Sequence, residues 1–192
     1  MQDFNLWFST GIEHILSFSA YDHILFLIAL SCVYKLSEQK KILIQITSFT
    51  IGHSLTLALS TFAVFTLSAK VTEVLIPITI LLTAIFNLRR KDHRGTSLNY
   101  WMALVFGLIH GMGFSFVLRA MLGKEESIVL PLFAFNMGIE AAQLIIVASV
   151  LIIFLFSDSV LKIDPRKRIV FISLVTILFS ALMIFGRIKE II

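Results

Sequence analysis

Four of the five histidines in this sequence lie inside apolar stretches, where an ionisable side chain is unusual. They are His14, His23, His53 and His110. An ionisable group in the hydrocarbon of a membrane costs at least a few kcal/mol, so each one indicates a function. A single such histidine is often only a hydrogen-bonding residue between helices, but four of them in one short chain predict a shared site.

The depths of these histidines in their predicted helices support such a site. His53 and His110 each lie about ten residues from the start of an apolar segment, which is about 15 Å at a helical rise of about 1.5 Å per residue. His23 precedes Lys35 by 12 residues, or about 18 Å. We therefore expect these three imidazoles to share one layer of the bundle.

Carboxylates occur at similar depths on other predicted helices. Asp22 precedes His23 directly, Glu140 lies in a later apolar segment, and Glu73 lies nearer a helix end. Helix bundles build metal sites from histidines and acids that converge from different helices. Imidazole with carboxylate suits a divalent first-row transition metal ion, with nickel, cobalt and zinc foremost, while Met112 and Met137 leave copper open.

The predicted metal ligands are His14, Asp22, His23, His53, His110 and Glu140. The sequence leaves open whether His14 and Glu73 are ligands. Binding requires neutral imidazoles, so affinity is expected to fall as the pH drops through about 6. Asn136 and Gln143 are expected either to orient the ligands or to bond neighbouring helices together.

Composition places these residues in a membrane. The chain is 58% hydrophobic and 15% charged, with a mean hydropathy of +0.95, and these values exclude an ordinary soluble domain. The formal charge of +4 comes from basic residues in short runs between apolar stretches, so nucleic acid is not expected as a partner. Cys32 is the only cysteine, which excludes an internal disulfide and a cysteine-based zinc module.

A helix crosses the hydrocarbon with about 20 apolar residues, and several segments reach that length. We predict an all-α membrane helix bundle of about six transmembrane helices, forming a single transmembrane domain over residues 1–192. The clearest spans are residues 42–69, 98–118, 127–157 and 169–186, with a shorter one at 71–88. The first span requires a kinked segment near residues 11–20, unless residues 4–20 form a separate helix at the interface.

The basic residues predict an orientation. Eleven of the sixteen fall on one side of a six-span topology, in the loops after the first, third and fifth helices. Basic loops face the cytoplasm, so both termini are predicted outside. The eleven are Lys35, Lys40, Lys41, Arg89, Arg90, Lys91, Arg94, Lys162, Arg166, Lys167 and Arg168.

Two helices carry a short repeated pattern around their histidines. Phenylalanine precedes histidine by four positions at Phe49 and His53 and again at Phe106 and His110. Small residues surround both histidines, and small residues allow membrane helices to approach closely. The glycines concerned are Gly52, Gly107, Gly111 and Gly113.

Five sequence segments together resemble the HupE/UreJ family of bacterial membrane proteins: residues 11–15, 21–26, 49–57, 106–114 and 135–144. The resemblance implies a hydrogenase or urease accessory role, nickel or cobalt uptake as a secondary permease, and a location in the bacterial inner membrane. It also implies metalloenzyme maturation machinery as a partner. Asp22 and His23 match the family's motif directly, whereas the spacing from His14 to Asp22 is longer here than in the family.

Two functions therefore compete: a nickel or cobalt permease, which we favour, and an intramembrane metal-dependent enzyme of the hydrolase type. Transport requires that the ligands release the ion. Catalysis requires a retained ion with one open coordination position. The acids Asp22, Glu73, Glu125 and Glu126 are expected near an outer entrance, and the inner halves of the helices carry no comparable acid. Walker, GxSxG and HExxH motifs are absent from the sequence.

Overall fold

The computed structural model describes residues 2–17, 20–62, 64, 67–89, 97–122 and 128–190. These residues are almost entirely helical and contain no strand, which confirms the predicted all-α class. The helices are α1 (Gln2–Leu16), α2 (Tyr21–Ser31), α3 (Gln39–Thr61), α4 (Ala69–Arg89), α5 (Ser97–Leu122), α6 (Val129–Ser159) and α7 (Pro165–Lys189), with a 3-10 turn at Leu36–Glu38 before α3.

Within the described residues, five helices are long and apolar enough to cross a membrane, namely α3 to α7. The helices α1 and α2 pass the same test only together, and their axes are bent by 72°. The break between Leu16 and Tyr21 falls inside the segment where the sequence predicts a kink. The described residues therefore contain five helices that could span a membrane, or six if the bent pair forms one span.

Successive long helices run in alternating directions. At one end of the bundle, α2 ends and α3 begins; we call it the Lys35 end. There Asn99, near the start of α5, donates a hydrogen bond to the Tyr34 hydroxyl at 3.0 Å. Arg166, at the start of α7, donates to the Leu88 carbonyl at the end of α4 at 2.6 Å.

At the opposite end, α3 ends and α4 begins; we call it the Lys70 end. Arg119, near the end of α5, donates a hydrogen bond to the Ser60 carbonyl near the end of α3. Arg187, near the end of α7, forms an ion pair with Glu73 near the start of α4 at 3.1 Å.

Basic residues gather at the Lys35 end, as the sequence predicts. Arg90, Lys91 and Arg94 lie outside the described residues. The described members of the predicted group are Lys35, Lys40, Lys41, Arg89, Lys162, Arg166, Lys167 and Arg168. Which membrane face the Lys35 end occupies stays a prediction.

Arg168 differs from the loop residue that the sequence predicts. Asp164 caps the start of α7 by accepting hydrogen bonds from two backbone amides. Pro165 follows as the first helical residue, where the lack of an amide N–H costs no hydrogen bond within the helix. Arg168 consequently lies in the first turns of the helix and is buried. It donates two hydrogen bonds to the carboxylate of Asp158, each 3.0 Å long, and lies 4.1 Å above the ring of Phe154.

The helices α3 and α5 run parallel and touch through their backbones. A Cβ added to Gly107 would overlap the carbonyl oxygen of Phe49, and a Cβ added to Gly111 would overlap that of His53. Gly52 lies against α5 in the same way. These contacts confirm the predicted close approach, and they fix the depth of His53 relative to His110.

Candidate metal site

Three of the four apolar-segment histidines converge on one point. Nitrogen atoms of His14, His23 and His53 lie within 4.8 Å of one another, although they come from α1, α2 and α3. His110 on α5 adjoins the group, with its ring centroid 5.5 Å from that of His23. Four helices therefore bring together the histidines that the sequence predicts as ligands.

Hydrogen bonds determine the tautomers of two of these rings. The Nδ1 of His23 lies 2.9 Å from a carboxylate oxygen of Asp22, and the Nδ1 of His110 lies 2.8 Å from the backbone carbonyl of Phe106. Each partner is an oxygen acceptor, so Nδ1 carries the proton in both neutral rings. The lone pair of each ring is then on Nε2, where a metal ion can accept it.

Several imidazole nitrogens in this cluster are buried and have no hydrogen-bond partner among the described residues. They are Nε2 of His14, His23 and His110, and both ring nitrogens of His53. His53 is 0% exposed. Buried polar atoms in proteins are almost always hydrogen-bonded, so this group of unpartnered nitrogens indicates a place for an ion or water.

Aromatic side chains hold the histidines in place. The ring of Phe114 lies 4.1 Å from that of His14 and stacks on Phe135. The rings of Phe26 and Phe49 lie 5.3 and 5.2 Å from that of His110. These phenylalanines therefore pack the site, where the low polarity of the rings strengthens electrostatic contacts.

A cavity of about 460 Å³ opens onto the cluster from the Lys70 end. Its lining includes His14, His23 and His110. Three acids also line it, namely Glu13, Asp22 and Glu73. Asp22 and Glu73 therefore lie where the sequence places an entrance, while Glu125 and Glu126 lie outside the described residues.

Glu13 was missed as a site residue at the sequence level. The signal is the spacing of Thr10, Glu13, His14 and Ser17, which puts these polar residues on one face of α1. All four line the cavity. The spacing of these four residues could therefore have identified the cavity wall.

Glu140 lies apart from the grouped nitrogens. One of its carboxylate oxygens accepts a hydrogen bond from the Thr47 hydroxyl at 3.1 Å, and its side chain is half-buried between α6 and α3. Its role as a ligand stays a prediction. Among the described residues, the cavity lining includes Met121 but neither Met112 nor Met137.

Asn136 and Gln143 bond helices together instead of orienting imidazoles. Asn136 accepts a hydrogen bond from Ser54 at 2.6 Å, and Gln143 accepts one from Thr50 at 2.9 Å. Both nitrogens of His53 lack a hydrogen-bond partner, so neither amide holds that ring. The groups that orient imidazoles are Asp22 and the carbonyl of Phe106.

Comparison with known proteins gives one family and no individual relative. Neither a curated protein nor a solved structure matches this chain. The family described as "HupE / UreJ protein" matches residues 1–187, which is nearly the whole chain. With its long apolar helices, the chain is a multi-pass membrane protein that belongs to the HupE/UreJ family.

Proposed function

We propose that this protein is a nickel or cobalt secondary permease of the bacterial inner membrane, with its Lys35 end in the cytoplasm. One observation carries the proposal: unpartnered imidazole nitrogens from several helices meet beside a cavity that acids line. The family supports the choice of ion, since HupE/UreJ membership implies nickel and cobalt handling. Metalloenzyme maturation machinery at the Lys35 end is the partner that would receive the ion.

The acids and the histidines would act in sequence. Glu13, Asp22 and Glu73 line the cavity and would raise the local concentration of a divalent cation. The Nε2 atoms of His23 and His110, together with His14 and His53, would then replace part of its hydration shell. Neutral imidazole is a suitable ligand for nickel and cobalt. A shell made mostly of neutral groups favours release, which transport requires.

Flux into reconstituted vesicles tests this proposal. We expect radioactive nickel or cobalt uptake by the wild type and its loss in His53→Ala, because a nitrogen of His53 belongs to the grouped nitrogens. Ile51→Ala is the matched control, since Ile51 lies on the same helix and is 56% exposed. Glu140→Gln, measured in the same vesicles, determines whether the carboxylate bonded to Thr47 contributes.

One feature favours the second candidate, an intramembrane metal-dependent hydrolase. On the Lys35 side of the histidines, Phe26 contacts Phe49 and Phe106, so the site is closed on that side. A closed side and a retained ion that activates water are what catalysis requires. Stoichiometric zinc or iron in the purified protein, measured by elemental analysis, together with no flux, would support the enzyme.

A further inference from the structure

Three helices carry the same order of residues along the bundle axis. From the metal site toward the Lys35 end, each has a histidine, then a phenylalanine about one turn away, then a residue that lines a second cavity about one turn further. The sets are His23, Phe26 and Leu30 on α2; His53, Phe49 and Gln45 on α3; and His110, Phe106 and Ala103 on α5.

The three phenylalanines form a continuous layer beneath the histidines. Ring centroids of Phe26 and Phe49 lie 5.0 Å apart, and those of Phe26 and Phe106 lie 6.2 Å apart. All three are buried in one hydrophobic cluster. An apolar constriction of this kind can close a channel to water and ions.

Beyond this layer lies a separate cavity of about 210 Å³. Its polar lining comes from Gln45, Thr83, Asn87 and Asn99, and the exposed Arg89 also lines it. Apolar residues also line the cavity, and a cavity of this size with several polar groups has room for several water molecules. In a membrane protein, polar side chains at this depth are expected where they line water or bind a solute.

Gln45 lines this cavity, and its buried amide oxygen has no hydrogen-bond partner among the described residues. The residue is 4% exposed, and its side-chain oxygen Oε1 has no hydrogen-bond partner. A buried amide oxygen without a partner costs free energy unless water or a cation meets it. Gln45 precedes His53 by two turns of α3, which is roughly 12 Å at about 1.5 Å per residue.

We propose that this cavity is a second station for the transported cation, in which Gln45 Oε1 and water bind the partly hydrated ion after it passes the phenylalanine layer. The inference rests on the permease proposed above. A neutral oxygen binds a divalent ion weakly, and Arg89 at the cavity disfavours its retention. None of the described residues that line this cavity is an acid, which favours release of the ion.

The test compares ion binding with ion flux in purified, reconstituted protein. In Gln45→Leu, nickel or cobalt uptake is expected to fall about tenfold or more, because the ion loses the buried, unpartnered amide oxygen of Gln45 at the station. Equilibrium metal binding, which measures the histidine cluster, is expected to stay unchanged and shows that the variant is folded. Gln45→Glu places a carboxylate at the station, so it is expected to hold the ion more tightly and also to lower uptake.

Ser48→Ala is the matched control, because Ser48 lies on α3 outside the cavity and bonds only to its own helix at Ile44. Wild-type uptake by Gln45→Leu, in vesicles where His53→Ala is inactive, would overturn the second station and leave the permease intact. Absence of flux in the wild type would overturn the permease and the station with it.

A second measurement does not depend on flux. In a Cys32→Ala background, Gln45→Cys is expected to react with a membrane-impermeant thiol reagent applied at the Lys35 end, because the cavity is hydrated from that end. Reagent applied at the Lys70 end is expected to leave it unmodified, because the phenylalanine layer intervenes. Reaction from the Lys70 end, or from neither end, would contradict the inference.

Discussion

The position of the ring proton determines which nitrogen atom of His23 and of His110 can bind a metal ion. The Nδ1–H of His23 donates a hydrogen bond to Asp22, and the Nδ1–H of His110 donates one to the backbone carbonyl of Phe106. Asp22 also accepts a hydrogen bond from the backbone amide of His23 at 2.8 Å, so its carboxylate is held in place. We therefore propose that this carboxylate would act on an ion through the imidazole, as the partners of metal-binding histidines commonly do.

Substitution of Asp22 separates this positioning role from direct ligation. Asp22→Asn keeps an acceptor for Nδ1 and should weaken metal affinity by about tenfold at most, whereas Asp22→Ala removes the acceptor and should weaken it by about 100-fold. Titration calorimetry on the purified variants measures both. Equal losses in the two variants would show that Asp22 binds the ion directly.

Sequence patterns account for part of the site and not for the rest. The shared depth of His23, His53 and His110 follows from the helical rise and was predictable. The hydrogen bond of Glu140 to Thr47 was not, because it depends on how far α6 is rotated about its own axis. Depth alone therefore did not predict that the Glu140 carboxylate accepts a hydrogen bond from Thr47.

Backbone contact between the helices α3 and α5 sets the positions of His53 and His110 relative to each other. Glycines on both helices allow the approach, and a side chain at Gly107 has no space. The helix α7 differs, since Gly186 has no atom within 4 Å of the position of a Cβ. Position 107 thus requires glycine, whereas position 186 has space for a side chain.

A pair of alanine substitutions makes use of this difference. Gly107→Ala should destabilise the protein by about 1–3 kcal/mol, because the new methyl group overlaps the backbone of α3. Gly186→Ala should be neutral or stabilising by up to about 1 kcal/mol, since alanine favours the helix. Thermal unfolding in detergent measures both, and a similar melting temperature for the two variants would contradict the packing.

Arg168 positions the start of α7 against α6 and α2. It bonds both oxygens of Asp158 and reaches the carbonyl of Cys32 at 3.4 Å. Arg168→Lys keeps the charge but cannot make the two-pronged contact, so unfolding free energy should fall by about 1.5–3 kcal/mol. Lys167→Met, at the exposed neighbouring position, should leave the melting temperature unchanged.

The long helices were predictable because hydropathy reports directly on a membrane crossing. The burial of Arg168 was not predictable. The local sequence around a basic residue beside a loop is the same whether its side chain faces water or bonds to Asp158. The bend between α1 and α2 was predicted only as a break. Its angle depends on how Gly11 packs against Phe135 of α6, which no local pattern specifies.

For the whole molecule, the asymmetry of charge between its two ends gives an orientation that can be measured. In a Cys32→Ala background, Val64→Cys at the Lys70 end should react with an impermeant thiol reagent in intact cells, while Leu161→Cys at the Lys35 end should not. Both positions are exposed, at 71% and 58%. Labelling of Leu161→Cys in intact cells would reverse the proposed orientation.

Two pairs of helices are locked by glycine contacts: α3 with α5, and α1 with α6 through Gly11 and Gly138. Between α3 and α6 lie side-chain hydrogen bonds from hydroxyl groups, such as Ser54 to Asn136, which water can replace. His14 belongs to one pair and His53 to the other, with ring centroids 5.9 Å apart across this seam. A metal ion bound by both histidines would link the two helix pairs. When the ion left, the two pairs could rotate apart as rigid bodies.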